Sequence, residues 1–318
     1  MTKANNITVL GTGVLGNQIA WHSAWMGKTV VAYNPRESSL ENGRQAHAAL
    51  AEAYRADLSA TDEQIAATQA RITYCTDLAQ AVAKADIVIE SVPELAEVKT
   101  RIYRDMADKL PDHTIILTNS STLLPRDFAE ATGRPEKYSA LHFANLIWRL
   151  NLTEIMGHPG TSDATYEAAV RFSIDIGMVP IPMAKENEGY ILSAWLDVML
   201  NECQTMVTNG IATPEVIDRT YLIANRGAQL PPFGIMDVIG MKTMKNIWEA
   251  WGRDRGDEQM SRNARYLQEE FIDKGHLGMA TGRGFYSYPA PAYAAPDFLQ
   301  IPKQSQIANI AAQCRMTA

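Results

Sequence analysis

Near the N-terminus, Gly11-Thr12-Gly13-Val14-Leu15-Gly16 has the spacing with which a backbone turn cradles a pyrophosphate. Gly11 would make the turn, Gly13 would let phosphate oxygens reach the main chain, and Gly16 would let a helix lie close to the preceding strand. Helix N–H groups beginning at Val14 and Leu15 would face the negative charge. A glycine motif alone is weak, because tight turns without a ligand are common. Here it follows the β-branched run Ile7 to Leu10 and opens an apolar helical pattern through Ile19, Ala20, Ala24 and Met26. A second run, Thr29 to Tyr33, completes a βαβ unit. Where that strand ends, a carboxylate would normally accept hydrogen bonds from an adenosine ribose, but the sequence has Asn34, Pro35 and Arg36. An amide bonds a hydroxyl without repelling a 2′-phosphate, and Arg36 can pair with one, so NADP stands beside NAD as cofactor. The other reading puts Asn34 on the ribose of NAD and leaves Arg36 as a solvated charge.

General acid–base chemistry near neutral pH needs a group such as imidazole. His142 is the last residue but one of the apolar run Ser139 to Phe143, and at the end of a strand it would face the crevice where open α/β sheets bind ligands. By itself, a histidine beside a phenylalanine is more often a packed core residue. Glu154 lies inside the apolar run Leu152 to Met156, where an unpaired carboxylate is unfavourable, so it needs a partner. Pairing with His142 would fix the imidazole tautomer and stabilise its protonated form. A salt bridge to an arginine such as Arg149 is the weaker alternative.

The elements that must position these groups read as strands alternating with helices. Asp86 to Val92, Thr114 to Thr118 and Ser139 to Phe143 are further strands, and Glu97 to Lys109 is a helix. Residues 38–71 form a helical hairpin, with Ser59-Ala60-Thr61-Asp62 as the start signal between its arms. The pattern predicts an α/β fold, a doubly wound Rossmann-type sheet, followed by an all-α C-terminal domain. Helical periodicities cover Tyr190 to Thr208, Pro214 to Leu222, Ile235 to Trp251 and Met260 to Lys274. The expected domains are residues 1–185 for the dinucleotide, 186–288 for substrate and dimerisation, and a Pro/Ala-rich extension, 289–318, as an arm or frayed end.

Four later segments join the glycine motif: Asp86-Ile-Val-Ile-Glu-Ser-Val-Pro-Glu94 with Lys99, Asn119-Ser-Ser-Thr-Leu123, Leu141-His-Phe-Ala-Asn145 with Glu154, and Gly282-Arg-Gly-Phe-Tyr286. In that order and spacing the chain, from about residue 5 to 289, resembles 3-hydroxyacyl-CoA dehydrogenases, nearest to short bacterial members that include a diketoreductase. The resemblance implies an enzyme that interconverts a 3-hydroxy and a 3-keto group of a small acyl substrate with NAD. It makes His142 the general acid/base and Glu154 its orienting partner. It places Ser121 on the substrate oxygen, Asn145 beside the nicotinamide, and Glu94 and Lys99 near the cofactor ribose and carboxamide. As bare sequence, Asn-Ser-Ser-Thr is a turn or cap and Glu94 with Lys99 an i, i+5 pair at a helix start.

The chain departs from the family pattern in places. Where relatives carry Gly-Phe-Ile-x-Asn it reads Gly189-Tyr-Ile-Leu-Ser193, and the shorter Ser193 cannot span the same hydrogen bond without a water or a helix shift. It either polarises the keto oxygen weakly or marks a different substrate. The hairpin offers Arg44 and Arg55 among Glu41, Glu52 and Asp57, a nearly neutral face that would hold a nucleotide handle poorly. Trp148 follows Asn145 and reads either as a remodelled pocket or as a buried aromatic.

The apolar helices of the second domain are too many to cover one another, which predicts a homodimer, with Met236, Met241 and Met244 in core or interface. A net charge of −7 without a basic cluster excludes nucleic acid as partner. The absence of a signal segment or a long apolar run predicts a cytoplasmic protein with no membrane contact. Cys75, Cys203 and Cys314 lie far apart and lack metal-ligand spacing, so neither a disulfide nor zinc is expected. Two rivals remain: a CoA-independent reductase of 3-keto or 3,5-diketo compounds, and a dinucleotide-binding protein without turnover.

Overall fold

Apolar runs of four to six residues build the sheet: β1 (Asn6–Leu10), β2 (Thr29–Tyr33), β3 (Ile72–Cys75), β4 (Ile87–Glu90), β5 (Ile115–Thr118), β6 (Tyr138–Phe143), β7 (Leu152–Met156) and β8 (Val179–Pro182). The computed structural model describes residues 4–228 and 230–315. The strands lie in the order β3-β2-β1-β4-β5-β6-β7-β8. All neighbours are parallel except β6 and β7, which run antiparallel. The order reverses between β1 and β4, so the crevice at their C-terminal ends is the switch point where such sheets take ligands. Burial on both faces explains why β4, β5 and β6 are continuous buried runs rather than alternating ones.

Helices cover the sheet: α1 (Val14–Trp25), α2 (Glu37–Leu58), α3 (Asp62–Ala70), α4 (Leu78–Val82), α5 (Ala96–Met106) and α6 (Asp163–Asp175), with α7 (Leu192–Thr208) following β8. The hairpin is α2 and α3. Thr61 caps α3 in a reciprocal box with Gln64, the pairing its start signal predicts. Two buried histidines attach the hairpin and α1 to their surroundings. His22 bonds the Tyr54 hydroxyl at 2.7 Å and His47 the Tyr74 hydroxyl at 2.6 Å. Burial lowers both to about 4, so they stay neutral in the fold.

Three strands lie outside the sequence expectation. β3 and β8 are only four residues long, and β8 carries Pro180 and Pro182. At the edge of the sheet the missing proline N–H groups face no neighbour, which is why the prolines are tolerated. β7 was legible only as an apolar run. The chain divides into two compact units, residues up to 202 together with 301 onward, and residues 203–300. The expected boundary at 185/186 precedes α7, which begins in the first of these units and ends in the second. The end of the chain is not a free arm. α12 (Ile307–Gln313), which follows the helices of the second unit, buries Ile307, Ala311 and Cys314 in the core that α6 shares.

The second unit contains α8 (Pro214–Ala224), α9 (Pro232–Ile239), α10 (Met241–Arg255) and α11 (Glu258–Leu267). The expected single helix over Ile235 to Trp251 is broken at Gly240, whose φ of 94° ends α9. Asp237, buried in α9, accepts hydrogen bonds from the N–H groups of Phe285 (2.8 Å) and Tyr286 (3.0 Å) and from the Tyr288 hydroxyl (2.9 Å). A Cβ on Gly284 would sit 2.0 Å from that carboxylate, so Gly282-Arg-Gly-Phe-Tyr286 is a structural clasp on Asp237. Among the described residues no helix is long and apolar enough to cross a membrane.

Candidate active site

The glycine turn joins β1 to α1. Gly11 has φ +108°, and a Cβ there would meet the Ser91 carbonyl oxygen at 2.3 Å. A Cβ on Gly16 would meet the Gly11 oxygen at 2.2 Å, so both positions are held bare by the turn's own packing. Gly13 differs, because a Cβ there would find nothing within 4 Å and its φ is an ordinary −75°. The fold does not require that glycine, whereas a ligand drawn against the backbone would. α1 has no side-chain cap and no acidic residue in its first turn, so its first N–H groups are left for an anion. Beside them opens a cleft of about 400 Å³ lined by Gly11, Thr12, Gly13, Val14, Leu15, Asn34, Arg36, Ser39, Asn42, Ser91, Val92 and Pro93. This lining fits a dinucleotide: bare backbone for phosphates, hydroxyl and amide groups for a ribose, and no carboxylate.

Asn34 is committed within the turn. Its amide donates to the Thr12 hydroxyl at 3.1 Å and its carbonyl oxygen accepts from the Arg36 N–H at 3.2 Å. Thr12 in turn donates to the Ser39 carbonyl at 3.0 Å. Arg36 is exposed at the start of α2 and forms no ion pair among the described residues, whereas Glu37 and Glu41 both hold Arg44 at 3.0 Å.

The C-terminal ends of β1, β4, β5 and β6 share one edge of the sheet, so His142 on β6 stands three strand spacings from the glycine turn, about 14 Å. The antiparallel register sets His142 directly across from Glu154. His142 Nδ1 lies 2.9 Å from Glu154 Oε2, with the two residues 4% and 1% exposed. A carboxylate oxygen can only accept, so Nδ1 carries the proton and Nε2 is free to accept from the Ser121 hydroxyl, 3.1 Å away. The other Glu154 oxygen accepts the N–H groups of Ile191 (2.8 Å) and Leu192 (2.9 Å). Those donors compensate the buried charge. Arg149 is not its partner, for Arg149 and the Trp148 indole both bind Asp57 on the hairpin. The Arg149 and Trp148 hydrogen bonds hold the Asp57 carboxyl down at about 2. Trp148 also packs on Tyr54, ring centroids 5.3 Å apart, which ties the loop after β6 to α2.

Lys99 is buried, whereas Glu94 is exposed, and both are engaged by neighbouring groups of the chain. Lys99, 1% exposed, donates to both oxygens of the fully buried Glu90 at 2.8 and 3.0 Å, and lies 3.1 Å from Glu94. Glu94 Oε1 accepts the Ser120 hydroxyl and the N–H groups of Ser121 (3.1 Å), Thr122 (2.9 Å) and Leu123 (3.2 Å). Partial burial works against that carboxyl's charge, but the Ser120 bond, the Lys99 charge and the backbone donors outweigh it and bring it to about 2. Its contribution is to hold the turn that presents Ser121. The burial of Lys99 was not legible, and Glu90 and Tyr190 were missed; an isolated glutamate ending an apolar strand was the available signal for Glu90.

Asn145 is exposed in the loop after β6, next to Leu146, whose N–H donates to Gln18 of α1 at 2.8 Å. Ser193 is half-buried in the first turn of α7, one residue past the donor that holds Glu154. Among the described residues no hydrogen bond joins either to Ser121, His142 or Glu154.

Residues 6–187 match the family model described as 3-hydroxyacyl-CoA dehydrogenase, NAD binding domain, and residues 189–288 match that family's C-terminal domain. The chain is 30% identical over 288 residues to hydroxyacyl-coenzyme A dehydrogenase, mitochondrial, of Homo sapiens, across 89% of this chain and 91% of that one. It is 29% identical over 290 residues to a probable 3-hydroxybutyryl-CoA dehydrogenase of Bacillus subtilis, across 90% and 98%. A solved diketoreductase, described with dual catalysis of dicarbonyl compounds, is 43% identical with TM-score 0.67 over 91% of this chain and 100% of that one.

Proposed function

The chain belongs to the 3-hydroxyacyl-CoA dehydrogenase family, and on that premise we propose that it interconverts a 3-hydroxy and a 3-keto group on a small acyl substrate. The observation that carries this reading is the chain of contacts Ser121–His142–Glu154 on the sheet edge that also bears the glycine turn. A bound nicotinamide dinucleotide supplies the acceptor for hydride in oxidation and the donor in reduction. The protein's part is the proton. Neutral His142 takes the hydroxyl proton at Nε2, and Glu154, across Nδ1, stabilises the cation so formed. In reduction the protonated ring returns it. Once Nε2 takes up the substrate proton it no longer accepts from Ser121, whose hydroxyl, 3.1 Å away, is then released to donate to the substrate oxygen.

The acyl handle admits a second reading. On the hairpin Arg44 is engaged by Glu37 and Glu41, and Arg55 by Glu52 and Asp62, so neither charge is free for the phosphates of a coenzyme A handle. Together with the similarity to a diketoreductase, this favours a free 3-keto or 3,5-diketo acid or ester. At the ribose end, Arg36, without an ion pair among the described residues, and a cleft lining without carboxylates favour acceptance of a 2′-phosphate, hence NADP besides NAD. We also propose a homodimer, because Val216 on α8 and Phe233, Ile235, Val238 and Ile239 on α9 are exposed. A mass near twice 35.1 kDa by light scattering checks it. The widely spaced free cysteines suit a reducing cytoplasm.

A single panel tests the substrate and cofactor readings: NADH and NADPH oxidation with acetoacetyl-CoA, acetoacetate and a keto ester. Thioester turnover supports the first reading, and ester or acid turnover without it supports the second. No turnover with any of them sinks both. In the same titrations Arg36→Ala should weaken NADPH binding about 10- to 100-fold and change NADH binding by less than about threefold. Equal losses for both would mean that Arg36 does not read the 2′-phosphate.

A further inference from the structure

We propose that Tyr190 is a positioning residue for the His142–Glu154 pair: its ring is the surface against which the imidazole is held and its cationic form favoured. The proposal rests on the reading of His142 as acid/base. Tyr190 is 1% exposed, and its ring stacks on that of His142 with centroids 4.4 Å apart and planes 21° from parallel. Such a stack fixes the ring plane, and the negative face of a phenol attracts an imidazolium more than a neutral imidazole.

The backbone shows that this placement is not incidental packing. Gly189 and Tyr190 have φ of +76° and +55°, two successive left-handed residues, a conformation that a bulky aromatic rarely adopts. The Asn187 side chain holds the turn by donating to the Tyr190 carbonyl at 2.8 Å. With the chain so turned, the next two N–H groups, of Ile191 and Leu192, reach Glu154 while the Tyr190 ring covers His142. One strained corner therefore grips the carboxylate with its backbone and the imidazole with its side chain.

The phenol oxygen itself is buried without a hydrogen-bond partner among the described residues. Burial raises its pKa well above the ordinary value, so it neither gives nor takes the proton. The ring, not the hydroxyl, does the work. Leu124, Ala140, Met156 and Met183 share the cluster, and a leucine would fill it as an apolar residue. An aromatic is required only if the face toward His142 matters.

The test compares Tyr190→Phe with Tyr190→Leu, each made in the wild-type chain and in H142Q, with single-turnover rates, substrate KM and dinucleotide Kd measured for all. Tyr190→Phe should keep kcat within about twofold, and Tyr190→Leu should lower it about tenfold with KM and Kd nearly unchanged. In the H142Q chain the Leu change should remove less than about a further twofold, because a group acting through His142 has nothing left to act on. Wild-type kcat in Tyr190→Leu, or the same tenfold loss in both backgrounds, overturns the proposal. Full turnover in H142Q alone would instead overturn the acid/base reading beneath it. If the Leu variant does not fold, Tyr190→Met, unbranched and of similar volume, reads the same loss.

Discussion

His142→Gln is expected to lower turnover about 10²- to 10⁴-fold while dinucleotide binding stays within about twofold. Glutamine is close in volume and can still donate toward Glu154, so the cross-strand contact at 2.9 Å survives in kind. It cannot accept a proton from an alcohol and carry it as a cation. The glycine turn lies three strands away, which is why binding should be spared. Steady-state kinetics beside a fluorescence titration of the cofactor decide the matter. Turnover within tenfold of wild type would remove His142 from the chemistry, and loss of cofactor binding would show damage to the fold instead. Glu154→Gln should change activity in the same direction, since the imidazolium then lacks its counter-charge. The pair also argues against a dinucleotide-binding protein without turnover. A buried carboxylate and imidazole, 1% and 4% exposed, are unfavourable to desolvate, and their chemistry is what the arrangement provides.

Glu90→Leu is expected to destabilise the chain by about 3–5 kcal/mol, because it removes the buried counter-charge of a buried ammonium. Lys99 keeps only Glu94 as a counter-charge, and the Tyr103 hydroxyl (2.6 Å), the Thr118 hydroxyl (2.7 Å) and the Val92 N–H (2.8 Å) all lose their acceptor. The network also holds Glu94, and through it the turn of Ser121, so activity should fall with stability. Urea midpoints measure the first effect. The double variant Glu90→Leu with Lys99→Met removes both charges and should recover part of the loss. A single variant within about 1 kcal/mol of wild type would show that Glu90 does not pin this network.

The expectations for Glu94 and Lys99 show where reading by sequence stops. The sequence gives them as a pair at a helix start, and the structure adds that Lys99 is held between two carboxylates and that Glu94 takes the backbone donors of the Ser121–Leu123 turn. An i, i+5 spacing says that two groups start a helix; it does not say which way they turn. The end of the chain teaches the same lesson. Proline and alanine after residue 289, followed by a weak helical pattern, read as an arm or frayed end, but Ile307, Ala311 and Cys314, four and three residues apart, form a helix face that the sheet's core buries.

What the amino-acid order determined alone is local: the glycine turn between a β-branched run and a helix, the capped hairpin, and a histidine at a strand's end. Each is encoded within a few residues by turn chemistry and by periods of two or 3.6. Only the tertiary structure decided that β7 runs antiparallel to β6, which brings Glu154 opposite His142, and that a left-handed corner at Gly189 and Tyr190 closes on both. The period of a strand states which side chains share a face. Partner and register come from pairing across the sheet, between segments whose distance along the chain leaves no trace in either.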